Sequence, residues 1–316
     1  MTSPVQSLAE MSVLPYTDVL AWVVMAVFVA GVIAHRRNDL RLARRITAAG
    51  WALFAVFWFL LIQHFAFVMR SAVETALVVV AVPSCLYVGW QLHNGRDSLL
   101  TLSRAVAFMT IIYLPFETSE LARSFLIETV AFQTATVIDW LGLSNGVELM
   151  RDPGTDSSLL NTFYFPETDR ASRLVFQCTG IGSMAIFGGL IAAVDAPRPK
   201  KLVATAVSIG IIWALNVGRN VFIALANGYQ WFAGSWLEGP VMFAFGLSDP
   251  ARVSFFVADR VISQVLAVFV LVGIAWFVSR WVPELLDVGE ELLSVLLGRE
   301  VHLRSPDAAA DGRGKQ

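Results

Sequence analysis

Val265-Leu-Ala-Val-Phe-Val-Leu-Val-Gly-Ile-Ala-Trp-Phe-Val278 runs without a single polar side chain, inside an apolar segment that extends from about 254 to 282. Crossing the hydrocarbon of a bilayer takes roughly 20 such residues, and the segment is long enough. Six further segments resemble it, near 18–35, 46–69, 73–92, 99–116, 174–194 and 202–226. In lipid each backbone amide must be satisfied within its own segment, which selects helices. The chain has 316 residues, 56% of them hydrophobic and 15% charged. A water-soluble domain of that length cannot hide so much apolar surface. The expected class is therefore an all-α polytopic membrane protein with about seven transmembrane helices. A formal net charge of -2 gives no electrostatic footprint for nucleic acid. Cys85 and Cys178 both fall in apolar stretches, which argues against a disulfide framework. No Lys or Arg occurs from Met1 to Tyr16, so a basic leader region is lacking and the first segment is expected to remain as a helix.

Basic residues between the segments set the orientation. The first connection, His35-Arg-Arg-Asn-Asp-Leu-Arg-Leu-Ala-Arg-Arg45, is strongly basic. The third carries Arg96, and the fifth reads Asp195-Ala-Pro-Arg-Pro-Lys-Lys201. The C-terminal tail adds Arg299, Arg304, Arg313 and Lys315, whereas the second and sixth connections hold only Arg70 and Arg252. This pattern predicts an N-terminus outside and a C-terminus in the cytoplasm. The long fourth connection, 117–173, then lies outside. Ser119 to Gln133 has helical periodicity suited to the interface, and Met150 to Ser158 is turn-rich. The aromatic sixth connection, with Trp231, Phe232, Trp236, Phe243 and Phe245, reads as an interfacial belt or as a lid. Residues 283–316 read as a cytoplasmic amphipathic helix and a polar tail whose composition predicts disorder.

Three residues sit badly in lipid. Cys178 opens the fifth segment in Val175-Phe-Gln-Cys-Thr-Gly-Ile-Gly-Ser-Met184; Arg219 and Arg260 lie within the sixth and seventh. A cation in the hydrocarbon costs roughly 2.5–3.5 kcal/mol even on lenient insertion scales, so each arginine needs a partner, a cavity or a substrate. The alternating topology puts all three at one depth near the outer boundary, with Cys178 about 6 Å in at 1.5 Å per residue. Asn216 and Asn220 share the helical sector of Arg219, and Gly180, Gly182 and Gly218 allow close backbone approach. A guanidinium beside a thiol favours the reactive thiolate, and a second guanidinium suits the oxyanion of an attacked carbonyl. That combination points to acyl transfer through a thioester. Each residue also has a plainer reading: Cys178 as packing, Arg260 snorkelling to headgroups, Arg219 and Arg260 as the anion site of a transporter. His64 lies near the outer end of the second segment, as a proton relay or as an ordinary packed histidine; His35, His93 and His302 fall at cytoplasmic positions. The lysines, Lys200, Lys201 and Lys315, sit outside the segment interiors, which excludes a retinal Schiff base.

A membrane Cys followed by Gly and Ser, then Asn216-Val-Gly-Arg219 in the next segment, then Arg260 at the head of a later one, resembles the exosortase/archaeosortase family. An arginine at the third position resembles the archaeal branch. The resemblance covers 170–265 in its motifs and the whole chain in its segment pattern. It implies a transpeptidase domain over 1–282, with Cys178 as nucleophile and Arg219 and Arg260 completing the catalytic set. It also implies precursors of surface proteins as partners, each ending in a Pro-Gly-Phe type motif, a hydrophobic helix and a basic cluster. Cleavage on the outer face and attachment to a membrane lipid complete the implied reaction. Neither a cofactor nor a metal is expected.

Overall fold

The computed structural model describes residues 4–68, 72–143, 146–151 and 158–297. Helix α1 (Pro4–Arg36) is followed by α2 (Leu40–Gln63), which continues into a π-helical turn, His64–Val68. Then come α3 (Ala72–His93), α4 (Leu99–Thr118) and α5 (Glu120–Trp140). Strands β1 (Glu148–Arg151), β2 (Leu160–Phe165) and β3 (Arg170–Arg173) form an antiparallel sheet in that order, with Phe163 opposite Leu149 on one side and Ser172 on the other. A 3-10 turn, Phe176–Thr179, leads to α6 (Ile181–Ala193), α7 (Arg198–Gly228) and α8 (Glu238–Phe245). Finally α9 (Val253–Phe256) passes through a π-helical stretch, Val257–Ser263, into α10 (Gln264–Ser279), and α11 (Glu284–Leu297) follows.

Seven helices among the described residues are long and apolar enough to cross a membrane, which makes this a polytopic all-α membrane protein with one small sheet. Six coincide with expected segments; the seventh does not. It is Glu120–Trp140, in the connection where a helix was predicted only over 119–133. The expected segment at 174–194 yields just the 13 residues of α6, about 20 Å by helical rise. The reason is local. Gly180 stands at φ 78, in the left-handed region, and ends the 3-10 turn before any α-helix begins. The first two turns of the expected span are thereby lost. The polar tail from 298 onward, Arg70 and residues 152–157 of the turn-rich stretch 150–158 lie outside the described residues.

The chain divides into two compact units. The first comprises residues 1–114, 185–202 and 281–316. Small residues let its helices approach: a Cβ on Gly89 would stand 3.2 Å from the Ala48 carbonyl oxygen, and one on Gly189 would stand 2.7 Å from the Met109 nitrogen. Phe28 is fully buried edge-on against Trp51, whose indole N–H donates to Ser103 at 2.8 Å. Asp39 caps α2 by accepting from the Leu42 N–H. The amphipathic helix expected after 283 is present as α11, which turns Val288 and Ser294 inward while Arg96 pairs with Glu291 at 2.7 Å.

The second unit comprises residues 115–184 and 203–280. Ser119 caps α5, and Gln133 from that helix accepts from the Trp213 indole of α7 at 2.8 Å. The sheet rests on the end of α7: Phe165 lies edge-on to Tyr229, and Thr168 donates to the Gly228 carbonyl at 2.6 Å. Asn161 of β2 donates to the Leu174 carbonyl at 2.8 Å while the Leu174 N–H donates back to the Asn161 carbonyl, also 2.8 Å. The chain therefore leaves the sheet in a fixed direction, four residues before Cys178.

Candidate active site

Cys178 does not lie four residues into a helix, as expected. It occupies the 3-10 turn ahead of α6, partly buried, with its N–H donating to the Val175 carbonyl at 2.9 Å. Its own carbonyl accepts from the side-chain amides of Asn216 and Asn220, at 2.8 and 2.9 Å. Those asparagines stand four apart on α7, hence on one face, and together they hold the backbone of the turn. Their role differs from the expected flanking of Arg219: they grip the thiol's own peptide group. A Cβ on Gly180 would stand 2.9 Å from Asn216 Cγ, so a glycine there serves both the left-handed backbone and the close approach. Gly182 and Gly218, singled out with it, meet open space instead.

Arg219 follows on α7 and projects beside that face. Its guanidinium is near enough to the Cys178 sulfur to act on it electrostatically, and it donates to Asp259 Oδ1. Arg260 stands with Nε 3.4 Å from Asp259 Oδ2. The structure thus brings together Cys178, Arg219 and Arg260 in one unit, along with Asn216 and Asn220. The joining residue is Asp259, a carboxylate with 12% of its side chain exposed. Sequence reasoning demanded partners for both arginines but named no acid. The signal was present, since an aspartate directly before an arginine in an apolar segment is a default counter-ion.

The stretch that carries Asp259 and Arg260 is π-helical, a wider turn often found at functional positions. Its position is fixed by apolar contacts. Ala258 packs with Ile223 and Ala226 of α7, joined by Phe222, Phe232 and Phe255. Val257 packs with Val241 of α8 and Val253 of α9. The aromatic connection after α7 therefore joins the core: the Phe232 N–H donates to the Ser254 hydroxyl at 3.1 Å. Trp236 and Phe243 stay exposed, at 83% and 92%, as residues facing lipid or its boundary would. Arg252 lies over the Phe256 ring, 5.4 Å from its centre. Arg123 of α5 lies over the ring of Phe176, two residues before the cysteine, at the same distance.

His64 opens the π-helical turn after α2 in the first unit, its ring edge-on to Phe65 at 5.7 Å, and is not part of the unit that carries Cys178. Among the described residues no group of three or more His, Cys, Asp or Glu side chains is arranged to hold a metal ion.

Residues 17–251 match the family described as Transmembrane exosortase (Exosortase_EpsH). Over 304 residues the chain is 70% identical to Archaeosortase A of Natronomonas pharaonis, covering 96% of each chain. It is 47% identical over 301 residues to Archaeosortase A of Haloferax volcanii, covering 92% of this chain and 97% of that one. No solved structure matches.

Proposed function

The chain belongs to the transmembrane exosortase family, and from that premise we propose that it is a membrane-embedded cysteine transpeptidase acting on surface-protein precursors. Its substrates carry a C-terminal sorting signal of the Pro-Gly-Phe type followed by a hydrophobic helix. The Cys178 thiolate attacks the carbonyl at the cleavage point, and a guanidinium stabilises the oxyanion that forms. Collapse of that intermediate breaks the C–N bond, releases the signal's helix as the amine product and leaves a thioester on Cys178. A nucleophile from a membrane lipid then attacks the thioester carbonyl and regenerates the thiol. The site faces the extracytoplasmic side, where a substrate tethered by its own helix presents the cleavage point at the membrane boundary. Such tethering turns a bimolecular attack into an oriented one. The catalytic core spans 170–265, with Cys178 as nucleophile, Arg219 supporting the thiolate and oxyanion, and Arg260 completing the set.

What supports this reading is Cys178 in a turn whose carbonyl Asn216 and Asn220 hold, on the same helix that carries the Arg219 guanidinium. Cys178→Ala and Cys178→Ser should abolish precursor cleavage while the protein still accumulates in the membrane, as followed by the size shift of a Pro-Gly-Phe-tailed surface protein. Normal maturation in the alanine strain would end the proposal. Mass spectrometry of the wild-type enzyme quenched during turnover should find the substrate acyl group on Cys178.

A further inference from the structure

We propose that Asp259 is a positioning residue for the acyl-transfer step, holding the Arg219 guanidinium toward the Cys178 sulfur. The proposal rests on the reading of Cys178 as the nucleophile. The Arg219 guanidinium sits at the end of a side chain with four rotatable bonds, and the hydrogen bond that holds it comes from outside its own helix, at Asp259. Asp259 Oδ1 takes a hydrogen bond from one terminal nitrogen, Nη2, and thereby restricts where the fork can point. The remaining N–H donors of the guanidinium stay available for the sulfur. Asp259 is in turn held from behind, because Oδ2 faces Arg260 Nε at 3.4 Å. The helix that bears it is locked to α7 through Ala258, Ile223 and Ala226. Sulfur and guanidinium are therefore referred to the same helix. Asn216 and Asn220 of α7 fix the cysteine, and the contact of α7 with the π-helical stretch fixes the aspartate.

Charge points the same way. A carboxylate on an apolar helix is costly to desolvate, and Asp259 is tolerable there only because cations surround it. A carboxylate placed merely to tether two helices would need only one arginine and no sulfur beside it.

The test is steady-state kinetics of the full chain in liposomes, with a synthetic substrate that carries the Pro-Gly-Phe motif and its hydrophobic helix. Asp259→Asn is close in shape and should lower kcat about 100-fold with KM changed less than about threefold, the size of loss expected for a misplaced catalytic group. Because Asp259 acts through Arg219, adding Asp259→Asn to Arg219→Gln should slow single-turnover cleavage no further than Arg219→Gln alone. That double variant removes both charges of the pair, which guards against a single variant that fails to fold. A kcat for Asp259→Asn within threefold of the parent overturns the proposal, as does a further loss of tenfold or more in the Arg219→Gln background. Either result would leave Cys178 as nucleophile untouched. Cleavage by Cys178→Ala in the same liposomes would instead remove the nucleophile reading on which the proposal stands.

Discussion

Arg44 and Arg219 each reach from a long helix to an aspartate, yet the two pairs do different work. Arg44 of α2 donates through Nε and Nη2 to both oxygens of Asp97, a residue with 43% of its side chain exposed in the short connection between α3 and α4. The Arg44 guanidinium holds the Asp97 carboxyl below the usual carboxylate range, as a bidentate partner should. An ion pair of that kind is hydrated whether or not it forms, so it fixes the path of a connection and adds little stability. Arg219 finds an aspartate only 12% exposed, which Arg260 also holds, and its charge is felt at the Cys178 sulfur. The two arginines are about equally exposed, so the difference lies in the carboxylate, which here has little access to water and leans on its guanidinium partners.

That contrast can be broken from its costly end. Arg219→Gln should lower the rate of precursor cleavage by about 10²–10³-fold, the usual cost of removing one charge-stabilising donor. Asp259 keeps Arg260 beside it, so the variant should still be recovered from membranes, and a pulse-chase of precursor maturation measures the loss. A smaller effect is expected at Gly180, where alanine forces a side chain into the left-handed region at about 1–2 kcal/mol and against Asn216. Gly180→Ala should slow cleavage by roughly tenfold, about what 1.4 kcal/mol corresponds to. It should also raise the rate at which Cys178 is alkylated, because the turn loosens. The mildest change is Asp97→Asn, which should leave cleavage unaltered and the thermal midpoint at pH 7 within measurement error. The sign of the pH dependence follows from the lowered carboxyl. Whatever the Arg44–Asp97 pair contributes is present above the ordinary carboxylate range and disappears only as pH falls through the depressed value. The small parent-minus-variant difference should therefore shrink on acidification, and a difference that grows toward low pH would contradict the assignment.

Much of the site was legible as residue types. Cys178, Arg219 and Arg260 stood out because thiols and guanidinium groups are rare in apolar runs, and Asn216 and Asn220 were marked as polar neighbours on one helical face. Their partner was not legible. Spacing shows that two asparagines share a face, but not that the face meets the carbonyl of a turn 38 residues earlier in the chain.

Apolar length reads directly from one dimension. The thickness of hydrocarbon and the demand that every amide find a partner make a run such as Val265–Val278 a helix regardless of its surroundings, so the class and six of the seven long helices follow from the chain alone. Rotation about each helix axis is different, because it depends on what lies opposite. One left-handed glycine shortened α6 and moved Cys178 into a turn; one π-helical stretch presented Asp259 to Arg219. Only the packed structure decided those, since both are local departures from regular helix whose effect is felt on another segment.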